Sequence, residues 1–186
     1  MSHDDGRKPR IFTVCHSDMS INSFLSLMEK SSVRVVADVR SNPASARFPH
    51  FERRALAHEL EKFGIVYRWF RDLGGRRPPT HGEEYHTSFE DSSLMRYAAA
   101  MNTSAFMSSV QELVGIASSA VTAIMCAERN PDYCHRLLLA DKLEVEGARV
   151  VHILDNDTDK LHSRHPDLVV EDHHLIYRKR QLNFLD

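Results

Sequence analysis

The run Val33-Arg-Val-Val-Ala-Asp-Val39 is followed directly by Arg40-Ser-Asn-Pro43. Its β-branched and apolar side chains predict a buried strand, and the proline at 43 predicts that the strand gives way to a loop. Similar short apolar runs occur at 11–15, 65–70, 120–126 and 149–154. Each of them is also followed by polar residues, so the chain repeatedly pairs a buried strand with a polar loop.

Helical periodicity occupies the segments between these strands. The predicted helices cover 21–28, 52–63, 94–100, 104–116 and 134–146. Because strands alternate with helices, we expect an α/β fold with a mainly parallel sheet of about five strands and helices on both faces. One domain is predicted over residues 11–186, preceded by a flexible segment at 1–10. A further short strand is predicted at 175–177.

Composition and charge exclude several classes of protein. The chain has 186 residues, of which 42% are hydrophobic and 27% are charged, so we expect a globular domain rather than a disordered chain. No apolar run reaches the roughly 18 residues of a membrane span, and the polar N-terminus lacks the apolar core of a secretory signal. We therefore expect a cytoplasmic protein in which the three cysteines are reduced. A net charge of −2 gives no overall positive field, so contact with nucleic acid requires a local basic patch.

Polar residues follow the predicted strands, and ligands of open α/β sheets bind beyond the carboxyl ends of the strands. Asp38 lies within an apolar strand, where burial raises the pKa of a carboxyl group unless a cation lies beside it. Arg40 is two residues further and points to the same side of the strand. The two residues form either a structural pair that fixes the loop or part of a reaction centre. His16 and Glu128 follow two other strands and are candidates for moving a proton.

A second group of candidates lies at the start of the helix predicted over 134–146. The residues of its first turn are Cys134, His135 and Arg136. The free N–H groups of a helix N-terminus attract anions, and histidine and arginine strengthen that attraction. With Arg40 and Ser41 at a neighbouring strand end, this turn indicates a site for phosphate or carboxylate. The alternative is that Asp132 only caps the helix and that Arg136 lies on a solvated face.

A glycine-rich loop follows the strand at 65–70 and contains Gly74, Gly75 and Arg76. Two glycines let a backbone approach a ligand closely. Further basic and aromatic residues extend this loop into a surface that suits a nucleic-acid backbone and an unstacked base. They are Arg47, Arg53, Arg54, Lys62, Arg77, Phe48, His50, Phe51, Trp69 and Tyr85. The alternative is a solvated arginine face with no ligand.

The cysteine spacing does not favour a metal. Seven residues separate Cys126 from Cys134, whereas paired zinc ligands are usually separated by about two to four. We therefore predict neither a metal nor a cofactor, and we interpret Cys126 as a small buried side chain. For Cys134, a helix N-terminus and an adjacent histidine favour a lowered pKa and a reactive thiol. An inert thiol is the alternative.

Several segments resemble the signature blocks of the DUF488 family. They are Phe12-Thr-Val-Cys-His-Ser17, Asp38-Val-Arg-Ser-Asn-Pro43, Leu73-Gly-Gly-Arg76, Cys126-Ala-Glu-Arg-Asn-Pro-Asp-Tyr-Cys-His-Arg136 and Val151-His-Ile-Leu154. The blocks occur in family order, but Cys15 stands where the family usually has glycine. The resemblance implies an α/β domain whose motifs meet in one cleft. Members of the family have been linked to excision of modified bases from DNA, so the resemblance also implies that activity.

Three functions remain open from the sequence. The first is a DNA glycosylase, a hydrolase of DNA repair, in which Asp38 is the essential carboxylate and Glu128 or His16 handles a proton. The residues expected to bind its substrate or the phosphate are Ser17, Arg40, Ser41, Gly74, Gly75, Arg76, Cys134, His135 and Arg136. The second is a non-catalytic module that binds a nucleotide or phosphate. The third is thiol-dependent sulfur transfer of the rhodanese kind, suggested by Cys134.

Overall fold

The computed structural model describes residues 8–128, 134–154 and 158–179. Its strands are β1 (Arg10–Cys15), β2 (Val35–Asp38), β3 (Val66–Trp69), β4 (Thr122–Cys126), β5 (Arg149–Ile153), β6 (Asp159–Leu161), β7 (Leu168–Glu171) and β8 (His174–Tyr177). Its α-helices are α1 (Ile21–Lys30), α2 (Arg53–Lys62), α3 (Ser92–Ala100), α4 (Ser104–Ser119) and α5 (Arg136–Val145). Short 3-10 turns lie at Pro49–Phe51, Arg71–Leu73 and Glu83–Tyr85.

One sheet of six strands has the order β3-β2-β4-β1-β5-β6. Strands β1 to β5 run parallel, and β6 pairs antiparallel with β5. The α/β class and the mainly parallel sheet are confirmed, and each of the predicted strands in this sheet is present. The sixth strand, β6, was not predicted because its three residues are all exposed and form no apolar run.

Successive residues of the central strands alternate between two hydrophobic cores, one on each face of the sheet. Phe12 and Val14 of β1 belong to the core that contains α1 and α2. Ile11 belongs to the opposite core, which contains α4 and α5. Strand β4 alternates in the same way, with Met125 in the first core and Ile124 in the second. A strand covered on both faces needs apolar residues at nearly every position, which is why these strands appear in the sequence as continuous apolar runs.

The chain leaves the neighbouring strands β1 and β4 toward opposite faces of the sheet. β1 leads to α1 in one core, and β4 leads to α5 in the other. The two strands pair directly, with Cys15 opposite Cys126 at their carboxyl ends. Diverging connections of this kind open a crevice beyond the strand ends, which is the usual ligand position in open α/β sheets.

The N-terminal boundary differs slightly from the prediction. Strand β1 begins at Arg10, and the Pro9 carbonyl accepts a hydrogen bond of 2.8 Å from the Arg149 N–H. The fold therefore begins inside the segment 1–10, whose first seven residues lie outside the described part of the chain. No α-helix in the described ranges is both long enough and apolar enough to cross a membrane.

The strand predicted at 175–177 is confirmed as part of β8, which pairs with β7 in a hairpin separate from the main sheet. The start of the last helix differs from the prediction. Helix α5 begins at Arg136, so Cys134 lies before the helix rather than in its first turn. The predicted cap, Asp132, lies outside the described residues.

Candidate functional site

A cleft of about 940 Å³ lies beyond the carboxyl ends of β1, β2 and β4. The sequence-predicted residues that line it are His16, Ser17, Arg40, Ser41, Gly75, Arg76, Glu128, Cys134 and His135. Three other predicted site residues, Asp38, Gly74 and Arg136, are not part of the lining. They contact residues that are, so the predicted set is close together but its members have different roles.

Asp38 is completely buried and lies behind Arg40. Arg40 donates from Nε to Oδ1 at 2.9 Å and from Nη2 to Oδ2 at 2.6 Å, and its backbone N–H donates to Oδ1 at 3.0 Å. The Tyr67 hydroxyl donates to Oδ2 at 2.6 Å. Burial and the adjacent carboxylate raise the pKa of Tyr67, so this hydroxyl stays a donor. Because both carboxylate oxygens already accept hydrogen bonds, Asp38 positions Arg40 and does not line the cleft.

His16 is held as a neutral ring against Arg40. Its Nδ1–H donates to the Ser17 carbonyl oxygen at 3.1 Å, and its Nε2 lies 3.3 Å from Arg40 Nη1, which can only donate. The ring stacks on Phe51, with ring centroids 4.3 Å apart. Burial and the Arg40 cation lower the pKa of His16 to about 4. The lone pair of His16 is therefore directed at Arg40, and the ring fixes that guanidinium.

Gly74 allows a close approach between two loops of the protein. A Cβ atom there would lie 2.5 Å from Ser41 Oγ. Ser41 Oγ in turn accepts a hydrogen bond of 2.8 Å from the Arg76 N–H. The predicted close approach of a glycine backbone is present, but at Gly74 it meets Ser41 rather than a ligand. The contact joins the loop after β2 to the loop after β3 and so shapes one wall of the cleft.

His135 lies between the backbone of Gly75 and the ring of Tyr97. A Cβ atom at Gly75 would lie 2.5 Å from His135 Nδ1 and 2.9 Å from its Cγ. On the other side, the centroids of the His135 and Tyr97 rings are 5.0 Å apart. The position of His135 in the cleft lining therefore depends on the absence of a side chain at position 75.

We expect Gly75→Ala to destabilise the protein by about 1–3 kcal/mol, because the added methyl group forces His135 out of its position. The matched control is Gly115→Ala, on an exposed turn of α4 where a Cβ atom meets nothing within 4 Å. That change is expected to stabilise the protein by about 0.5–1 kcal/mol, because alanine favours the helix. The free energy of unfolding of each variant is measured by urea unfolding monitored by circular dichroism. Equal effects of the two substitutions would contradict the close packing at Gly75.

Three nitrogen atoms in the cleft lining are buried and have no hydrogen-bond partner among the described residues. They are His135 Nε2, Arg77 Nε and Arg96 Nε. A buried polar atom without a partner is unfavourable, and a bound ion, water or ligand is the usual explanation. Arg96 was not predicted, because we searched the residues that follow the predicted strands, and Arg96 lies on helix α3.

Arg136 supports the cleft from behind. It is 1% exposed, and its Nη2 donates to the carbonyl oxygen of Glu128 at 2.5 Å. This placement corrects both sequence interpretations, since Arg136 is neither in the cleft lining nor on a solvated face. Its hydrogen bond holds the chain just beyond β4, where the exposed side chain of Glu128 lines the cleft.

The three cysteines meet beneath the cleft. The sulfur atoms of Cys126 and Cys134 are 3.3 Å apart, and Cys15 is opposite Cys126 in the sheet. The contact with Cys126 together with burial raises the pKa of Cys134 to about 12. The predicted lowering is therefore wrong, because Cys134 precedes the helix and its nearest neighbour is another thiol. A hydrogen bond from Cys126 instead lowers the pKa of Cys15.

The predicted basic and aromatic surface is divided between different environments. Arg47 and Phe48 line the cleft. Phe51 is completely buried. Arg53 lies over the ring of Trp69, 4.5 Å from its centroid, and neither residue belongs to the lining. Of the aromatic residues predicted for stacking, Phe48 is the one that faces the cleft.

The sequence matches one family model, described as the domain of unknown function DUF488, over residues 20–143. The matched region covers more than half of the chain and runs from α1 into α5. It contains the loops after β2, β3 and β4, which form most of the cleft. No curated protein and no solved structure matches the sequence.

Proposed function

Because the chain belongs to the DUF488 family, described as a domain of unknown function, we propose its activity from the chemistry of the cleft: hydrolysis of the N-glycosidic bond of a modified or mismatched base in DNA. The observation that carries the proposal is a cationic cleft on a protein whose net charge is −2. Its arginines are Arg40, Arg47, Arg76, Arg77 and Arg96, and its carboxylates are Asp18 and Glu128. A phosphate-bearing polyanion is the ligand that such a surface attracts.

The unpartnered nitrogen atoms favour phosphate as the group bound. Arg77 Nε and Arg96 Nε are donors in the lining that find no acceptor among the described residues, and His135 Nε2 there finds no partner among them either. Phosphate oxygens accept several hydrogen bonds at once, so DNA phosphates are suited to occupying these positions. Arg47 and Arg76 are more exposed and are suited to the neighbouring phosphates. Each such contact makes binding depend on salt.

Of the two carboxylates in the cleft lining, Glu128 is the one that we propose acts on a reacting atom. It lines the cleft, whereas Asp38 is enclosed by Arg40 and Tyr67. We assign Glu128 to take a proton from water as the water oxygen bonds to C1′ and the C1′–N bond breaks. The electron pair of the broken bond leaves with the base nitrogen, which takes up a proton from solvent. The Phe48 ring offers a surface on which an extruded base stacks. In this scheme Asp38, the carboxylate predicted from the sequence, acts by holding Arg40.

Glu128→Gln is expected to lower the rate of base release about 100-fold or more, because it removes the general base and keeps the size of the side chain. The substrates are labelled duplexes containing uracil, mismatched thymine or 5-hydroxymethyluracil, and alkali followed by gel electrophoresis detects the abasic product. The matched control is Glu61→Gln, which removes an exposed carboxylate of α2 outside the cleft and is expected to change nothing. DNA binding by Glu128→Gln is expected to persist.

Binding of the same duplexes, followed by fluorescence anisotropy at several salt concentrations, separates the alternatives. Salt-dependent binding without base release from any duplex would refute the glycosylase and leave a non-catalytic nucleotide-binding module. If the protein neither bound these duplexes nor released a base from them, the phosphate site would be refuted as well. A transfer activity from thiosulfate that disappears when Cys134 is alkylated would instead favour thiol-dependent sulfur transfer.

A further inference from the structure

The sulfur atoms of Cys126 and Cys134 are 3.3 Å apart. A disulfide bond is about 2.0 Å long, so the two atoms need to approach by roughly 1.3 Å. Cys126 is the last residue of the central strand β4, and Cys134 lies two residues before α5. We propose that this pair is a reversible oxidation site, at which hydrogen peroxide converts the two thiols into an intramolecular disulfide. The proposal is independent of the function assigned to the cleft.

Access to the pair is restricted to small molecules. Both residues line the cleft, although Cys126 is only 2% exposed and Cys134 only 4% exposed. Hydrogen peroxide is small and uncharged, so it reaches sulfur atoms through a cleft that excludes a second protein molecule. The expected product is therefore a bond within one chain rather than between two chains.

Cys15 is the competing partner of Cys126, because Cys126 donates a hydrogen bond to its sulfur, but two backbone contacts restrain that sulfur. Its sulfur donates to the Ala127 carbonyl oxygen at 3.0 Å and accepts from the Ser17 N–H at 3.1 Å. These two backbone contacts hold the Cys15 sulfur at the end of β1. Cys134 lies outside any strand or helix, so the small movement that closes the bond falls most easily on it.

The reaction balances with peroxide as the only co-reactant. Each thiol loses one proton and one electron, the two S–H bonds break, and one S–S bond forms. Hydrogen peroxide accepts the two electrons and the two protons, its O–O bond breaks, and two water molecules leave. A dithiol such as dithiothreitol reverses the change by exchange.

Closing the bond also affects the cleft. Cys134 is bonded to His135, and the His135 ring has no free space beside Gly75. Movement of Cys134 toward β4 therefore displaces His135, whose Nε2 is one of the nitrogen atoms in the lining without a partner among the described residues. The position of His135 in the cleft wall therefore depends on whether Cys126 and Cys134 are thiols or a disulfide.

Trypsin places the three cysteines in different peptides, which makes the disulfide directly readable. Cys15 lies in 11–30, Cys126 in 97–129 and Cys134 in 130–136. The full-length native protein is treated with hydrogen peroxide, its remaining thiols are blocked with iodoacetamide, and the digest is analysed by mass spectrometry without reduction. We expect 97–129 joined to 130–136 as the main form of both peptides, and dithiothreitol is expected to separate them.

The variants Cys15→Ser and Cys134→Ser give the matched comparison. The first is expected to retain the link, and the second is expected to lose it, with circular dichroism confirming that each variant is folded. The wild-type digest is decisive even if a variant does not fold. A link between 11–30 and 97–129, a bond between two chains, or blocked thiols in both Cys126 and Cys134 after peroxide treatment would overturn the proposal.

Discussion

Asp38→Asn is expected to lower the free energy of unfolding by about 3–5 kcal/mol, because it leaves a buried cation without its counter-charge. Asp38 is fully buried and Arg40 is 7% exposed, so water cannot replace the lost carboxylate. The amide would also place an NH₂ group near Oδ2, where Arg40 Nη2 and the Tyr67 hydroxyl now donate. The NH₂ group would then face the N–H of Arg40 and the O–H of Tyr67, which are also donors. The loop that carries Ser41 into the cleft would no longer be held by the Asp38–Arg40 pair.

Urea unfolding at neutral pH measures this effect. The matched control is Tyr67→Phe, which removes one hydrogen bond to Asp38 and keeps the ion pair, and it is expected to cost about 1 kcal/mol. An Asp38→Asn protein that is as stable as the wild type would contradict the structural role of the pair. If such a protein also failed to release a base, Asp38 rather than Glu128 would be the carboxylate of the proposed reaction.

The fold was predictable from the sequence because its strands are covered on both faces. The run at 33–39 contains few polar residues, because alternate side chains enter the two different cores, as those of Val36 and Ala37 do. Strand β6 has no such requirement, because it lies at the sheet edge with every residue exposed. An edge strand of this kind is defined by its hydrogen bonds to β5, which leave no pattern in the residue types.

The position of the cleft was predictable for a similar reason, but the roles of its residues were not. Strand ends meet at one edge of a parallel sheet, so His16, Arg40 and Glu128 were selected correctly as neighbours. Spacing shows that Asp38 and Arg40 share a side of β2, but it does not show which of them covers the other. Burial beneath Arg40 is a property of the packed structure, and it moves the proposed acid–base role to Glu128.

Contacts between distant segments were the least accessible to sequence reasoning. Cys126 and Cys134 are far enough apart in the chain to fail the usual metal spacing, yet their sulfur atoms touch. Their proximity arises because the end of β4 and the residues just before α5 lie side by side in the fold, which no spacing rule shows. Arg96 reaches the cleft from α3, which lies in the long connection between β3 and β4.

Acidification from about pH 6.5 to pH 4 is expected to destabilise the protein, because two buried histidines resist protonation in the folded state. Burial, with Arg40 as a further cause for His16, lowers the pKa of His16 to about 4, and burial also lowers the pKa of His86 to about 4. In the unfolded chain both titrate near 6.5. Between these values the unfolded chain binds protons that the folded chain does not, so the free energy of unfolding falls as the pH falls. Above about pH 6.5 both rings are neutral in both states and this contribution is constant.

The expected loss is about 3 kcal/mol for each histidine by pH 4, since one pKa unit corresponds to about 1.4 kcal/mol. Urea unfolding between pH 7 and pH 4.5 measures it, and His86→Gln isolates one residue, because glutamine does not titrate and can still accept from the Tyr177 N–H. The matched control is His58→Gln, on the exposed face of α2, which is expected to leave the pH dependence unchanged. A His86→Gln variant as acid-sensitive as the wild type would show that His86 is protonated in the folded protein, and its burial against Tyr177 would then need another counter-charge.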